Sequence, residues 1–363
     1  MSSAASASAS ASAAAAALQR PGPFERVLRS AGLELPELAQ LAGPLGVTPR
    51  ETVLAIGALK LHRYRPLADS VYRTPLLVVT SLVNQPYILD LVPGQSMVEH
   101  LLRQGYDVFL VEWGRVRSEH AGLTLEDHVL DRLPRCVERV LQLTGERELT
   151  MLGYCVGGLL AVLYAALHPG APLRNFVAMA TPVDSQGLAA LRTWMGEGFD
   201  ADGLLAQYGN VPGEWVQNSL RALKPLGKLA GAMNFLNNVQ HRDAVASHLR
   251  MGKWETDNLP FPGGVFRQMV RDFLRGNRLV QGGWQIGGRV ADPALITQPF
   301  LHLLAQEDHI TPYAAAHPLL GMVGSVDKQE IVLKGGHVGL VAGRGAQTRM
   351  WPALDAWLAP RSE

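Results

Sequence analysis

Cys155 stands in Gly153-Tyr154-Cys155-Val156-Gly157-Gly158, with an apolar run before it and a helical pattern, Leu159 to His168, after it. A nucleophile with glycines two residues to either side, between a strand and a helix, is the nucleophile-elbow pattern, here with Cys in the position where Ser is common. The glycines let neighbouring backbone pass closely around a strained turn. The following helix would present backbone N–H groups and a positive dipole end, which favour a thiolate and a developing oxyanion. Such an elbow needs an acid and then a histidine, in that chain order. Asp308, in Gln306-Glu307-Asp308-His309-Ile310-Thr311-Pro312, and His337, in Lys334-Gly335-Gly336-His337-Val338-Gly339, supply both. Glu307 and His309 compete with Asp308. Asp308 is preferred because it falls where a strand ends, and His309 is expected to be a loop histidine. The oxyanion hole should use the backbone N–H of Val156 and one from the loop Ser81-Leu82-Val83-Asn84-Gln85-Pro86-Tyr87, with Val83 as the candidate donor and Asn84 as a structural residue. Cys136, in the middle of a helical stretch, is expected in the core.

The elements that must position these residues form an alternating series. Short apolar runs at Pro75–Thr80, Tyr106–Val111, Leu149–Tyr154, Asn175–Ala180, Pro299–Leu304 and Lys328–Leu333 have the character of buried parallel strands. Helical stretches such as Gln95 to Gln104 and Leu125 to Thr144 lie between them, implying a mostly parallel sheet with helical crossovers. With the elbow, this predicts an α/β-hydrolase fold. From Val183 to about Thr297 the strand rhythm stops, in a region with Trp194, Trp215, Trp254 and Trp284. The expectation is a helical lid inserted above the C-terminal edge of the sheet, where ligands bind in such folds. The expected organisation is an Ala/Ser tail over 1–23, a first core part over 24–182, the lid over 183–297 and a second core part over 298–363. The tail is expected to be disordered, from its composition. Phe24 to Arg65 is expected to be helical, from the spacing of Leu35, Leu38 and Leu41 and from Thr48-Pro49-Arg50-Glu51 as a helix start.

Composition excludes several other functions. There are 33 basic and 32 acidic side chains, a formal charge of +1, without the basic surplus that phosphate-backbone binding requires. Hydrophobic residues at 47% and charged ones at 18% suffice for a real core. Two cysteines make neither a disulfide framework nor a zinc site, which suggests a reducing, cytoplasmic setting. No transmembrane segment, metal or resident cofactor is expected.

At these residues the chain resembles the polyhydroxyalkanoate synthases, and among them the shorter catalytic subunit of the class III enzymes. Val47 to Tyr64 is similar to that family's entry segment, Leu82 to Leu91 to its oxyanion-loop motif, and Arg250 to Trp254 and Asn277 to Val280 to its lid segments. The acid and histidine motifs around Asp308 and His337 match as well, and roughly Val47 to Leu358 is covered. Two departures are Glu112-Trp113-Gly114 for the family's Asp-Trp-Gly, and Val156 where Gln often follows the cysteine. The resemblance implies polymerisation of (R)-3-hydroxyacyl groups from coenzyme A thioesters, with the CoA thioester as substrate and a growing polyester on the protein. It also implies a second synthase subunit as partner, a homodimer, and a place at the surface of polyester granules. The family assigns Asp308 a base role toward the incoming 3-hydroxyl, whereas a hydrolase would use it to orient His337. Three rivals share parts of the pattern. Dienelactone hydrolases have a similar Gly-Tyr-Cys-x-Gly-Gly elbow without the long insertion. Intracellular polyester depolymerases use related folds, and a non-catalytic granule-surface protein would need no triad.

Overall fold

The computed structural model of the chain describes residues 40–224 and 227–363. The Ala/Ser tail and the helical expectation for Leu35 and Leu38 lie outside them. Eight strands form one sheet in the order β1-β2-β4-β3-β5-β6-β9-β10. In chain order they are β1 (Arg50–Ile56), β2 (Leu59–Tyr64), β3 (Leu76–Val79), β4 (Val108–Glu112), β5 (Leu149–Tyr154), β6 (Leu173–Met179), β9 (Phe300–Ala305) and β10 (Lys328–Leu333). A separate two-stranded hairpin, β7 (Gln285–Ile286) with β8 (Arg289–Val290), precedes β9. From β4 through β10 every pairing is parallel, while β2 pairs antiparallel with both β1 and β4. The central strands β3 and β5 are buried along their whole length, as apolar strands covered on both faces must be. Helices Met97–Arg103, Leu133–Thr144 and Val156–Leu167 run between the parallel strands, the last of them almost entirely buried. The six apolar runs all become strands, within two residues at either end, and the α/β-hydrolase architecture follows from them.

The helical expectation for the segment ending at Arg65 is wrong from Arg50 onward. Residues 50–64 are instead a β-hairpin turning at Gly57-Ala58, where Gly57 takes φ 59°. Leu59 and Leu61 are buried on either side of exposed Lys60, the period-two pattern of a strand. Thr48 does not cap a helix. Its N–H donates to Asp90 Oδ2 at 3.2 Å and its hydroxyl to Asp90 Oδ1. The side chain thus fastens the approach to β1 onto the loop after β3.

Between β6 and β9 the chain forms helices, among them Ala201–Tyr208, Gly213–Ala222, Gly227–Asn238, Arg242–Thr256 and Gly263–Gln268, before the β7–β8 hairpin. By its internal contacts the chain divides into two units. One holds residues 44–224 and 254–363, with the whole sheet. The other holds 227–253 together with the short N-terminal stretch 40–43. In this second unit Phe235, Val239 and Val245 are buried against Leu41 and Leu249, and Arg250 Nε donates to the Ala42 carbonyl at 2.8 Å.

Candidate active site

Strand order places the site. β3 and β5 are neighbours at the centre, reached by crossovers that leave in opposite directions, so their C-terminal ends open onto the crevice where α/β sheets bind ligands. Cys155 is the first residue past β5 and caps the helix Val156–Leu167. It adopts φ 57° and ψ −126°, a conformation that costs a non-glycine residue about 1–3 kcal/mol and persists only where the surroundings enforce it. They do so here through a hydrogen bond from the Cys155 N–H to the Met179 carbonyl on β6 at 2.9 Å. The glycines answer a close approach. A Cβ on Gly157 would run into the Thr80 and Val79 carbonyl oxygens at the end of β3, and one on Gly158 into the Thr181 hydroxyl. A Cβ on Gly153 would lie 2.5 Å from the Gly158 Cα. The elbow therefore sits directly on the end of β3 and on the residue two beyond β6.

Asp308 and His337 come from the loops after β9 and β10, which are tied together by the Glu307 N–H donating to the Gly335 carbonyl at 2.9 Å. Gly335, at φ 130°, gives the second loop the turn that delivers His337. His337 Nδ1 lies 2.7 Å from Asp308 Oδ2, while Asp308 Oδ1 accepts the Ile310 and Thr311 N–H groups at 2.9 and 2.7 Å. The carboxylate is thus fixed on both oxygens. Cys155, Asp308 and His337 are all buried, at 6%, 5% and 6% exposure. Burial by itself opposes a charged imidazole, yet the charges of Cys155 and Asp308, and hydrogen bonding to both, outweigh it and raise the His337 pKa to about 10. A ring held in this way, with Nδ1 on a carboxylate, has Nε2 left for the sulfur.

The structure brings together the three residues expected to form the triad. Val156 opens the helix after the nucleophile, where the first backbone N–H groups have no partner within the helix. Val83 is buried in the loop leaving β3, and among the described residues its N–H reaches only Ser81 Oγ, at 3.5 Å, the long limit for such a bond. His309 is exposed, outside the Asp308–His337 contact. Glu307 is exposed too, contributing its backbone alone. Cys136 lies in the core, and burial pushes its thiol up to about 12. Two supports went unseen in the sequence. Tyr154 sets its ring against that of His337, tilted by 32° with the centroids 5.1 Å apart, and its hydroxyl donates to the His337 carbonyl at 3.4 Å. Trp113 Nε1 donates to the Thr80 carbonyl at 2.7 Å, holding the end of β3 against the elbow. The x position of Gly-x-Cys and the Glu112-Trp113-Gly114 motif were the available signals.

Fold and site together define an α/β-hydrolase-type protein with a cysteine at the elbow. The chain matches the family described as alpha/beta hydrolase fold over residues 74–341, and that described as the poly-beta-hydroxybutyrate polymerase (PhaC) N-terminus over residues 38–101. It is 36% identical over 320 residues to the poly(3-hydroxyalkanoate) polymerase subunit PhaC of Allochromatium vinosum, covering 87% of this chain and 90% of that protein. The subunit of the same name from Synechocystis is 33% identical over 327 residues, covering 87% and 86%. This chain belongs to the PhaC family of poly(3-hydroxyalkanoate) polymerase subunits. Among solved structures, a soluble variant of yeast monoglyceride lipase aligns at TM-score 0.58 and 15% identity over 88% of this chain and 97% of that one. MenH from S. aureus aligns at 0.52 and 13%, over 85% and 100%. Both show a shared fold. Among the described residues no helix is long and apolar enough to cross a membrane.

Proposed function

We propose that this chain is the catalytic subunit of a polyhydroxyalkanoate synthase, an acyltransferase that moves 3-hydroxyacyl groups from coenzyme A thioesters onto a growing polyester through Cys155. The observation that carries the reading is the buried Cys155–His337–Asp308 arrangement, standing on a strained elbow in a chain of this family. The proton of the Cys155 thiol goes to His337 Nε2, and the sulfur attacks the thioester carbonyl. The charge that develops on the carbonyl oxygen is met by the Val156 and Val83 N–H groups. As the intermediate collapses, the bond to the CoA sulfur breaks and His337 returns the proton to the departing thiolate. The hydroxyl of a second 3-hydroxyacyl group then attacks the Cys155 thioester, losing its proton to the same ring; the ester bond of the polymer forms as the acyl–Sγ bond breaks, and the ring gives the proton to the departing Cys155 sulfur.

Asp308 faces His337 and two backbone N–H groups, so the geometry favours an orienting role over that of a base toward the substrate hydroxyl. Burial of the triad favours exclusion of water, whose attack would end a chain, and implies that part of the covering chain gives way to admit substrate. The helical stretch between β6 and β9 is the candidate lid. Its relatives are named as polymerase subunits, which supports action with a second subunit, and a homodimer and granule-surface location go with that reading.

The test is incubation of the purified protein with (R)-3-hydroxybutyryl-CoA, with and without a candidate partner subunit, following thiol release and product size together. Thiol release with insoluble polyester is the expected result. Release with free hydroxy acid alone would make it a thioesterase or depolymerase-like hydrolase. No release under either condition would favour a non-catalytic granule protein.

A further inference from the structure

The loop that follows β3 is held from outside as well as by its own short helix Pro86–Leu89. Its residues are fastened one after another to a short segment at the end of the helix Arg242–Thr256, the side-chain bonds reaching 169 to 174 positions along the sequence. The Val83 carbonyl accepts the Leu259 N–H at 2.9 Å, and Asn84 Nδ2 donates to Asn258 Oδ1 at 2.7 Å. The Gln85 carbonyl accepts from Trp254 Nε1 at 3.0 Å, and Gln85 Nε2 donates to Asp257 Oδ1 at 3.3 Å. The Tyr87 hydroxyl donates to Asp257 Oδ2 at 3.2 Å. Arg115, from the loop after β4, closes on the same carboxylate at 3.2 Å. Trp254 and Asn258 are buried, and Asn258 is itself held by its Nδ2 donating to the Glu255 carbonyl at 2.9 Å.

We infer that Trp254–Leu259 is a positioning latch for the oxyanion loop, with Asp257 and Asn258 setting the direction of the Val83 N–H. Val83 and Asn84 share a peptide unit. The Leu259 N–H anchors the Val83 carbonyl in that unit, and Asn258 anchors the Asn84 side chain beside it, so rotation about the Val83 backbone is restrained and the Val83 N–H on its other side keeps one direction. A donor aimed at a developing charge loses most of its value when displaced by an ångström. The latch residues touch no reacting atom. The inference rests on the reading of Val83 as an oxyanion donor.

The test compares two reactions of Cys155. Acylation by p-nitrophenyl acetate forms the Sγ–acyl bond, expels p-nitrophenolate and passes through an oxyanion. Alkylation by iodoacetamide displaces iodide at a saturated carbon and builds no oxyanion, so it reports the sulfur and His337 alone. In Asp257→Ala and Asn258→Ala, the acylation burst should slow on the order of 10- to 100-fold, as for a misplaced donor. Alkylation should stay within about twofold of the unaltered protein, because no oxyanion donor acts in it. With the CoA thioester, kcat should fall while KM stays put. Asp257→Asn keeps the acceptor oxygen for Gln85 and Arg115 and should retain most of the burst. Overturning results are an unchanged burst in both alanine variants, or burst and alkylation falling together, which would make the segment a support of the fold. An unaltered protein that is alkylated yet gives no burst would overturn Cys155 acylation itself, separately from the latch.

Discussion

Replacing Asp308 with Asn separates the two roles open to this carboxylate. Asp308 Oδ1 accepts two backbone N–H groups, and Oδ2 faces His337 Nδ1 at 2.7 Å. An Asn side chain keeps the first pair of bonds only by placing its amide oxygen at Oδ1. Its NH2 group then faces His337 Nδ1, which must become an acceptor, leaving the ring proton on Nε2. A ring protonated at Nε2 cannot take the Cys155 proton. Comparable tautomer inversions in triads cost about 10⁴-fold in kcat, which corresponds to about 5.5 kcal/mol. Because Asp308 also helps to raise the His337 pKa, the ring of the variant should titrate below about 10. The assay is stopped-flow release of CoA thiol from (R)-3-hydroxybutyryl-CoA, resolving the first acylation from later turnovers. Both phases should drop by about 10³- to 10⁴-fold. A full first-turnover burst followed by no elongation would refute the orienting role and assign Asp308 to the substrate hydroxyl.

Three further outcomes follow from the same geometry. Cys155→Ala should abolish turnover and leave the melting temperature nearly unchanged, since truncating one small side chain at a turn opens little cavity. The variant should also lower the His337 titration seen by NMR, because Cys155 is the strongest influence raising it, and unfolding would show that Cys155 is structural. Gly157→Ala should destabilise by about 1–3 kcal/mol, the usual cost of overpacking, because its Cβ meets β3 carbonyls rather than a flexible side chain. An unchanged melting temperature would contradict that contact. His128 is buried beside Trp113, with Nδ1 2.6 Å from the Thr124 carbonyl, and burial lowers its pKa to about 4. Its folded pKa lies below the unfolded value near 6.5, so the stability it contributes is present above pH 6.5 and lost as pH falls toward 4. The loss is on the order of 3 kcal/mol. Denaturant titrations should show that slope, His128→Phe should flatten it, and an unaltered slope would refute the assignment.

The inner parallel strands β3, β4, β5, β6 and β9 were legible in the sequence because they are short apolar runs largely buried on both faces, and burial leaves a compositional mark, whereas the edge strand β10 is half-exposed and carries only Ile331-Val332-Leu333 as its apolar signal. The elbow was legible because Gly153, Gly157 and Gly158 stand where any Cβ would strike backbone or the Thr181 side chain. The hairpin Arg50–Tyr64 was not. It pairs at the antiparallel end of the sheet, where one face is wet, and its mixed residues pass for an amphipathic helix when periodicity is weak. Nor did any local signal join Asn84 to Asn258 or Gln85 to Asp257, since those partners meet only after the intervening chain has folded.

What the sequence by itself determined is the chemistry available: a thiol, an imidazole and a carboxylate, in elbow–acid–histidine order, each following an expected strand. Their order followed from local patterns because each residue is tied to the strand before it. Only the tertiary structure decided how they act. Asp308 and His337 are 29 positions apart, and their 2.7 Å contact exists because the loops after β9 and β10 are hydrogen-bonded to each other. The orientation of the carboxylate, the raised pKa of His337 and the fastening of the oxyanion loop depend on distances between groups remote in sequence, burial and fixed charge, which a linear pattern does not contain.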